Sequence, residues 1–461
     1  MSSWFERVGN MASAMRLRQA HSERAYWSRD RLEAWQAARL NELVAHATRS
    51  SRFYRDHYGG VVGGPIILGQ LPTLTKDMMM ARFDDVVTDP RLELDGLLAH
   101  LSSLRSDELY LGEHRVMSSS GSSGRKAVYV YDREAWRTGM MQANLRLSEL
   151  VGLAPGWPRP RIASVAAPDG KHMTYRGSAS MDIGVYRAER FSAAAPLDEL
   201  SRALDRYQPD FILGYPSVLA QLAREQKAGR LDLHPRAIIT SSEVRTAAMS
   251  EAIRDAWGVE PFDCLGLTET GITAVDCYEH AGMHLFEDLS IVEVVDAANK
   301  PVRDGAPGAK VLVTNLYNRV EPIIRLEVSD LMTVTSERCA CGRTFKRVVA
   351  LDGRSDDVLE LRGPRGAVTL HPIHLRSVLG GDRAVLQYQV TQHAESLDVA
   401  LVLAPTAGPD TLTRIESALS IVLRDRGADS AVRARSVPEI ARESGPGKLK
   451  LVRALPRDRV T

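Results

Sequence analysis

The sequence predicts an α/β protein with a large N-terminal domain and a small, mobile α+β C-terminal domain. Three observations lead there. Between residues 161 and 270, short apolar or β-branched runs alternate with helical patterns, the signature of doubly wound, parallel sheets. Between residues 285 and 361 the pattern changes to short alternating strands, at 290–295, 310–316, 323–326 and 331–335, which predicts an antiparallel or barrel-like, β-rich subdomain. Finally, Gly353-Arg354-Ser355-Asp356-Asp357 is a turn-forming stretch that reads as a hinge. The expected division is residues 1–352 for the N-terminal domain and 353–461 for a C-terminal lid.

Taken in order, residues 19–58 follow helical spacing through Leu32, Trp35, Leu40, Leu43, Val44 and Ala47. Leu71-Pro72-Thr73-Leu74-Thr75-Lys76-Asp77 is a proline-marked entry in which Thr75 caps a short helix. Residues 95–112 are expected as helix and turn, and a Ser/Gly loop follows. Residues 132–150 form a helix with Trp136, Met140, Ala143 and Leu147 on one side. A buried strand is expected at 161–167 and a loop over 168–173. A helix at 197–207 is stopped by Pro209. A strand at 210–213 leads into a helix opened by Tyr215-Pro216-Ser217. Strands at 237–240 and 261–264 flank a helix at 246–257. The C-terminal part carries strands near 386–391 and 397–403 and a helix at 411–424. There is no internal repeat.

Bulk properties exclude several classes. The 461 residues are 44% hydrophobic and 25% charged, and the net charge of +1 gives no basis for a nucleic-acid or membrane-surface role. No apolar run approaches the ~18 residues of a membrane span. The first residues lack a signal-type apolar core, so a cytoplasmic location is expected. Nine lysines stand against fifty arginines, which singles out Lys126 and Lys448 in their Gly/Ser-rich loops. Cys277, His284, Cys339 and Cys341 make a tetrahedral set of structural-zinc type, with His280 a rival for the imidazole. The alternative is buried free cysteines that act as small hydrophobes.

Met117-Ser118-Ser119-Ser120-Gly121-Ser122-Ser123-Gly124-Arg125-Lys126 puts five hydroxyls, two glycines and two cations in ten residues, ahead of a β-branched run. Strand, loop and strand are expected. Such a backbone can aim N–H groups and hydroxyls at a phosphate chain, with Arg125 and Lys126 as counter-charge. By composition alone it equally suits a flexible turn. In an open parallel sheet ligands gather at the carboxyl ends of strands, where Ser241-Ser242-Glu243 and Leu267-Thr268-Glu269 fall.

Ser119-Ser120-Gly121-Ser122-Ser123-Gly124-Arg125, Gly266-Leu267-Thr268-Glu269, Asp330, Gly353-Arg354-Ser355-Asp356-Asp357 and Gly447-Lys448 occur in the order and spacing of adenylate-forming enzymes. Phe53-Tyr54-Arg55, residues 71–76, Pro322-Ile323-Ile324-Arg325 and the Cys339-Ala340-Cys341-Gly342-Arg343-Thr344 stretch resemble the phenylacetate–CoA ligase branch, and the likeness spans roughly residues 40–455. The resemblance implies a ligase that activates a carboxylic acid, expected to be aromatic, with ATP and Mg²⁺ and passes the acyl group to CoA. An amine or a carrier protein is the alternative acceptor, and a catalytically silent nucleotide-binding homologue is a third reading. It further implies that the Ser/Gly loop shields pyrophosphate, that Glu269 beside Thr268 holds Mg²⁺, and that Asp330 takes the ribose hydroxyls. Ser242, Glu243, Asp263, Leu265 and Gly266 would border the nucleotide, Arg354 would contact ribose or phosphate, Asp356 would be the pivot, and Lys448 would serve adenylation. Related branch members carry a similar Cys…His…Cys-x-Cys arrangement, and a homodimer is compatible with the resemblance. Three departures accompany it: Leu265 stands in place of an aromatic ring, Arg125 replaces the usual loop lysine, and Gly363-Pro364-Arg365-Gly366-Ala367 is longer than its counterpart. The acid is expected against residues 131–136, 166–174, 215–216 and 265–272, with Lys171, His172 and Arg176 at hand for a polar substituent.

Overall fold

Both faces of the central strands are apolar, and this dictates the layering. The structure is a computed structural model that describes residues 21–59, 65–119, 127–154, 158–167, 170–180, 186–354, 357–364, 366–370, 372–380, 382, 384–442 and 448–455. Its large sheet has nine strands, numbered in chain order: β1 (Arg161–Ala166), β2 (Arg187–Ser192), β3 (Phe211–Gly214), β4 (Ala237–Ser241), β5 (Phe262–Leu267), β6 (Gly271–Val275), β7 (Met283–Leu285), β8 (Asp330–Thr335) and β9 (Arg347–Arg354). Across the sheet the order is β8-β9-β7-β6-β5-β4-β3-β1-β2. The pairs from β2 to β5 are parallel and those from β5 to β8 antiparallel.

Alternate residues of the parallel strands serve two cores. Ile162, Phe211, Ala237, Ile239 and Phe262 pack with Ala143 and Leu147 of the helix Gln142–Leu150. Ala163, Val165, Ile212 and Ile238 pack on the other side with Leu200, Leu204, Val218, Leu222 and Ile253 of three crossover helices. Burial on both sides explains the unbroken apolar strand runs in the sequence. The crossover helices lie as expected because their ends carry strong local signals. Pro216 starts one at its first turn, and Thr246 caps another that ends at Gly258 with φ +69°. The chain passes from β1 to β2 on one side and returns to β3 on the other, so the topological switch point lies between β1 and β3.

Several expectations are corrected. The β-rich region is not one subdomain. Ser290–Val295, Lys310–Asn315 and Leu326–Val328 form a three-stranded antiparallel sheet, whereas β8 and β9 extend the edge of the large sheet. The strand expected at 323–326 starts only at Leu326, because Arg325 adopts φ +51° and breaks the extended run. The expected loop at 168–173 gives way at Met173 to the helix Met173–Ala179. The helix over 133–150 contains a wide π-type turn at Trp136–Met141. There Gly139 lies so close to the Tyr317 ring that a Cβ would fall 2.0 Å from its Cε2.

Past residue 357 a separate core forms around Leu359, Leu375, Val390, Leu397, Val399, Leu419 and Val452. Its four-stranded sheet runs Ala431–Ser436, Ser396–Leu403, Val385–Gln392 and Val452–Arg453. Val402, Ile440 and Leu449 of this unit pack on Ala220 and Met249 of the crossover helices. No helix among the described residues is long and apolar enough to cross a membrane.

Candidate active site

Two cavities meet at the carboxyl ends of β4 and β5. The first, about 190 Å³, is lined by Lys76, Ser119, Ser242, Glu243, Asp263, Leu265, Gly266, Thr268, Glu269, Asp330, Asp357, Lys448 and Lys450 among others. The second is about 60 Å³, and its lining includes Met140, Leu147, Met173, Leu213, Tyr215 and Ile272 with no charged side chain. They share Ser242, Cys264 and Gly266. The volumes and linings suit a polyanion in the first and a compact acid body in the second. Ser242 holds φ +71° at this junction, a strained conformation of the kind that concentrates at ligand sites.

The polar cavity is assembled from distant segments. Arg115–Ser118 and Val128–Tyr131 form the antiparallel hairpin that carries the Ser/Gly loop. The Ser119 N–H donates to the Ala127 carbonyl at 2.9 Å, and the Ala127 N–H donates to Ser119 Oγ at 3.1 Å. Ser120, Gly121, Ser122, Ser123, Gly124 and Arg125 lie outside the described residues, as do Asp356 and Gly447. Tyr129 of the hairpin donates its hydroxyl to Glu269 Oε1 at 2.8 Å, and Tyr131 donates to the Thr268 carbonyl at 2.7 Å. Asn315 and Tyr317 hold the Glu269 and Thr270 carbonyls, each at 2.9 Å. Glu269 also pairs with Lys76 at 2.8 Å. Burial raises the Glu269 carboxyl, but the Lys76 ammonium and the Tyr129 hydroxyl outweigh it and leave the group below its ordinary value.

Lys76 reaches this point because its segment is pinned to the three-stranded sheet. The Leu74 N–H donates to the Arg325 carbonyl at 3.0 Å, the Glu327 N–H donates to the Leu74 carbonyl at 2.8 Å, and Thr75 caps the helix Lys76–Ala81. Arg325 in turn donates to the Leu71 carbonyl at 2.6 Å and pairs with Glu293. Across the cavity, Asp330 opens β8 opposite Arg354 in the β9 register. Thr240 donates to Asp263 Oδ1 at 3.0 Å, and burial raises both Asp263 and the Cys264 thiol, the latter to about 12.

Lys448 comes from the C-terminal unit, and the next residue fastens it. The Leu449 N–H donates to Glu243 Oε1 at 2.6 Å. Glu243 also accepts from the Ser217 N–H at 3.2 Å, while Arg442 lies 3.7 Å away and donates to Ser217 Oγ at 2.8 Å. Burial raises the Glu243 carboxyl against these donors. Glu243 therefore lines the polar cavity but spends its side chain on the C-terminal unit.

Other assignments change. Tyr131 and Trp136 do not line the apolar cavity: their polar atoms bond Thr268 and Ser180, and their rings pack in the core. Arg176 is fully buried, paired with Asp107 at 2.9 Å and bonded to the Gly170 carbonyl at 2.7 Å, so it serves the fold and not a substrate. The ligand atoms of Cys277, His284, Cys339 and Cys341 all lie within 4.8 Å of one another. His284 Nε2 is 3.3 Å from Cys341 Sγ, and the Cys277 and Cys339 sulfurs are 3.8 Å apart. Three thiols and one imidazole at this spacing fit a tetrahedral zinc ion. His280, the rival for the imidazole, lies outside this group and bonds Asp276 through Nδ1 at 2.8 Å.

No family model matches the chain. A phenylacetate–coenzyme A ligase of Thermus thermophilus is 26% identical over 395 residues, 83% of this chain and 83% of that protein. Others of that name share 24–26% identity over 72–82% of the chain. The chain is a homologue of the phenylacetate–coenzyme A ligases. A fumarate–(S)-2,3-diaminopropanoate ligase of Enterobacter agglomerans is 28% identical over 160 residues, 32% of this chain and 38% of that protein. A solved 2-hydroxyisobutyryl–CoA ligase, in its postadenylation state with an acyl-adenylate bound, superposes with a TM-score of 0.71 at 22% identity. That match covers 93% of this chain and 90% of the other, and the fold is that of the adenylate-forming ligases.

In this phenylacetate–CoA ligase homologue, sequence reasoning overlooked Lys76 as a site residue, although the stretch 71–76 carried part of the resemblance. Its signal was weak but present: a capped first-turn lysine in a chain with nine lysines.

Proposed function

We propose that this chain is an ATP-dependent, AMP-forming ligase that converts a carboxylic acid with an apolar, aromatic body to its acyl-adenylate and then to its CoA thioester. The observation that carries the reading is the pair of adjoining cavities, one lined by cations and carboxylates, the other uncharged, joined at Ser242, Cys264 and Gly266. Met140 and Met173 in the apolar lining suit a ring, since thioethers pack well on aromatic edges. A carboxylate oxygen at the junction attacks the α-phosphorus of ATP. The bond to pyrophosphate breaks and pyrophosphate leaves past the Ser/Gly loop. Lys448 neutralises charge that develops between carboxylate and α-phosphate, and Lys76 does so for the leaving phosphates. Glu269 holds the divalent cation that accompanies ATP, and Asp330 accepts the ribose hydroxyls. In the second half-reaction the thiol sulfur bonds to the acyl carbon, AMP departs and the thiol proton passes to solvent. The segment beyond Gly353 acts as the lid between the two steps.

The test is acid-dependent pyrophosphate release from MgATP over a panel of aromatic acids, with loss of free CoA thiol followed in parallel. Acid-dependent release coupled to thiol loss is the expected result. No release with any acid would overturn the proposal. The partial likeness to the fumarate–diaminopropanoate ligase supports a second reading, in which the same adenylate is passed to an amine. Release with no thiol loss, and amide formed when amines are supplied, would favour it.

A further inference from the structure

We propose that the acid this enzyme activates carries a hydroxyl or uncharged amino group at the end remote from its carboxyl, held by Ser164 and Asn144. This rests on the adenylation reading above. Both residues line the apolar cavity, and both are more than nine-tenths buried, at 5% and 8% exposure. Most other polar groups on that lining have partners within the protein. Ser178 donates to the Tyr175 carbonyl at 2.8 Å, Tyr215 accepts the Ala167 N–H at 3.1 Å and bonds Thr174, and Ser241 bonds Cys264. Asn144 makes one bond, from Nδ2 to the Gly177 carbonyl at 3.4 Å. Its Oδ1 and the Ser164 hydroxyl have no partner among the described residues. Neither oxygen is among the sealed, unsatisfied atoms of the core, so both are open to the cavity they line, where a ligand can complete their bonding.

Depth fixes where on the acid the group sits. Ser164 pairs with Leu213, Leu213 with Ile239, and Ile239 with Phe262, so these four lie at one level of the sheet. Cys264, at the junction where the carboxylate meets the nucleotide, is two residues further along β5. At about 3.3 Å per residue the hydroxyl lies roughly 7 Å below that junction. A substituent adjacent to the carboxyl does not reach it, whereas one across a ring does. The chemistry of the pair fixes the type of group. Asn144 Oδ1 can only accept, and the Ser164 hydroxyl both donates and accepts. A hydroxyl or aryl amine satisfies both, while an ether or ketone satisfies one. No carboxylate lines the cavity to pair an ammonium, and no cation lines it to pair a second carboxylate.

The experiment compares kcat/KM for pyrophosphate release between acids that differ only at the remote position: 4-hydroxyphenylacetate against 4-methylphenylacetate, and 4-aminobenzoate against 4-methylbenzoate. The hydroxyl and amino acids should be favoured by about tenfold or more, the scale of one or two buried hydrogen bonds. Ser164→Ala should shrink that ratio by about tenfold. Should Asn144→Leu fold poorly, as judged by its melting temperature, Ser164→Ala alone decides, since it removes a single oxygen. Equal kcat/KM within each pair, or a Ser164→Ala ratio unchanged from wild type, would overturn the inference while leaving the ligase reading intact. No release with any acid would overturn both.

Discussion

Glu321 is the carboxyl most isolated from water in the core: it is fully buried, accepts one N–H from Val130 at 2.5 Å, and has an Oε1 with no partner among the described residues. Burial drives its proton affinity well above the ordinary range, and the nearby Glu269 charge adds to this. The sign of the linkage follows. The unfolded chain releases this proton near the ordinary value of 4.5 while the folded chain keeps it. Its contribution is therefore fully present below that value and is lost as pH rises towards the folded value. Glu321→Gln should be more stable than wild type by on the order of 1 kcal/mol at pH 8, with the gap closing towards pH 4.5. Denaturant titrations at the two pH values check this, and a gap that widens as pH falls would refute it. Lys76 illustrates the other side of residue-scale electrostatics. It holds Glu269 ionised in a buried place, so Lys76→Ala should cut pyrophosphate release by roughly 10²-fold and also lower the melting temperature, because the Glu269 carboxylate is left buried without its cation. A variant of full activity would remove Lys76 from the reaction. Motif order marks Glu269 and Lys448 in the sequence, and the fold brings both to the polar cavity. The Lys76–Glu269 pair was not legible there, because 193 positions separate its members and long-range contacts, such as the strand bridge at Leu74 and Leu326 and the Asn315 bond to the Glu269 carbonyl, bring them together.

At the scale of elements, the parallel half of the sheet was readable because each helix carried its own stop and start signals, such as Pro209, Pro216 and Gly258. The antiparallel half was not. A period-two strand pattern states that a strand exists, not which sheet it joins: β9 is assigned by pairing with β7, Arg347 opposite His284, and β8 in turn by pairing with β9. The Cys277, His284, Cys339 and Cys341 cluster sits where this matters. It draws together the end of the β6 region, β7 and the loop between β8 and β9. That edge is continuous with the β5–β6 hairpin that presents Thr268 and Glu269. A zinc ion there would brace the turn of the sheet from parallel to antiparallel. Purified protein should hold about one zinc per chain. Chelation, or Cys339→Ser, should lower the melting temperature by several degrees, with zinc restoring it only in the wild-type chain. Metal content near zero, together with a melting temperature that added zinc does not move, would sink the site and return these residues to their role as buried hydrophobes.

At the scale of the whole molecule, one backbone hydrogen bond decides where Lys448 stands. The C-terminal unit meets the crossover helices through an apolar contact of Val402, Ile440 and Leu449 with Ala220 and Met249, which is not directional. The directional element is Glu243, which accepts the Leu449 N–H at 2.6 Å and is itself steadied by Ser217 and Arg442. An acceptor aimed at the amide next to Lys448 fixes the register of the C-terminal unit, and the lysine side chain then has its reach set from the backbone. Glu243 was expected as a nucleotide residue from its strand-end position; its side chain bonds the C-terminal unit, because Arg442 and the Leu449 amide come from beyond residue 353, a relation that no local pattern encodes. Lys448 lines the polar cavity in this arrangement, which under the proposed function is the one suited to the first half-reaction. Glu243→Ala should therefore slow pyrophosphate release about tenfold, with thioester formation from preformed acyl-adenylate much less affected. Glu243→Gln, which keeps a carbonyl acceptor for the Leu449 N–H, should recover most of the lost rate. Lys448→Ala should fail in the same half-reaction, by 10²-fold or more, and no substitution at Glu243 should rescue it. Single-turnover measurement of each half-reaction separates these outcomes. Equal slowing of both steps by Glu243→Ala would mean that the carboxylate only supports the fold, and that the C-terminal unit finds its register by apolar packing alone.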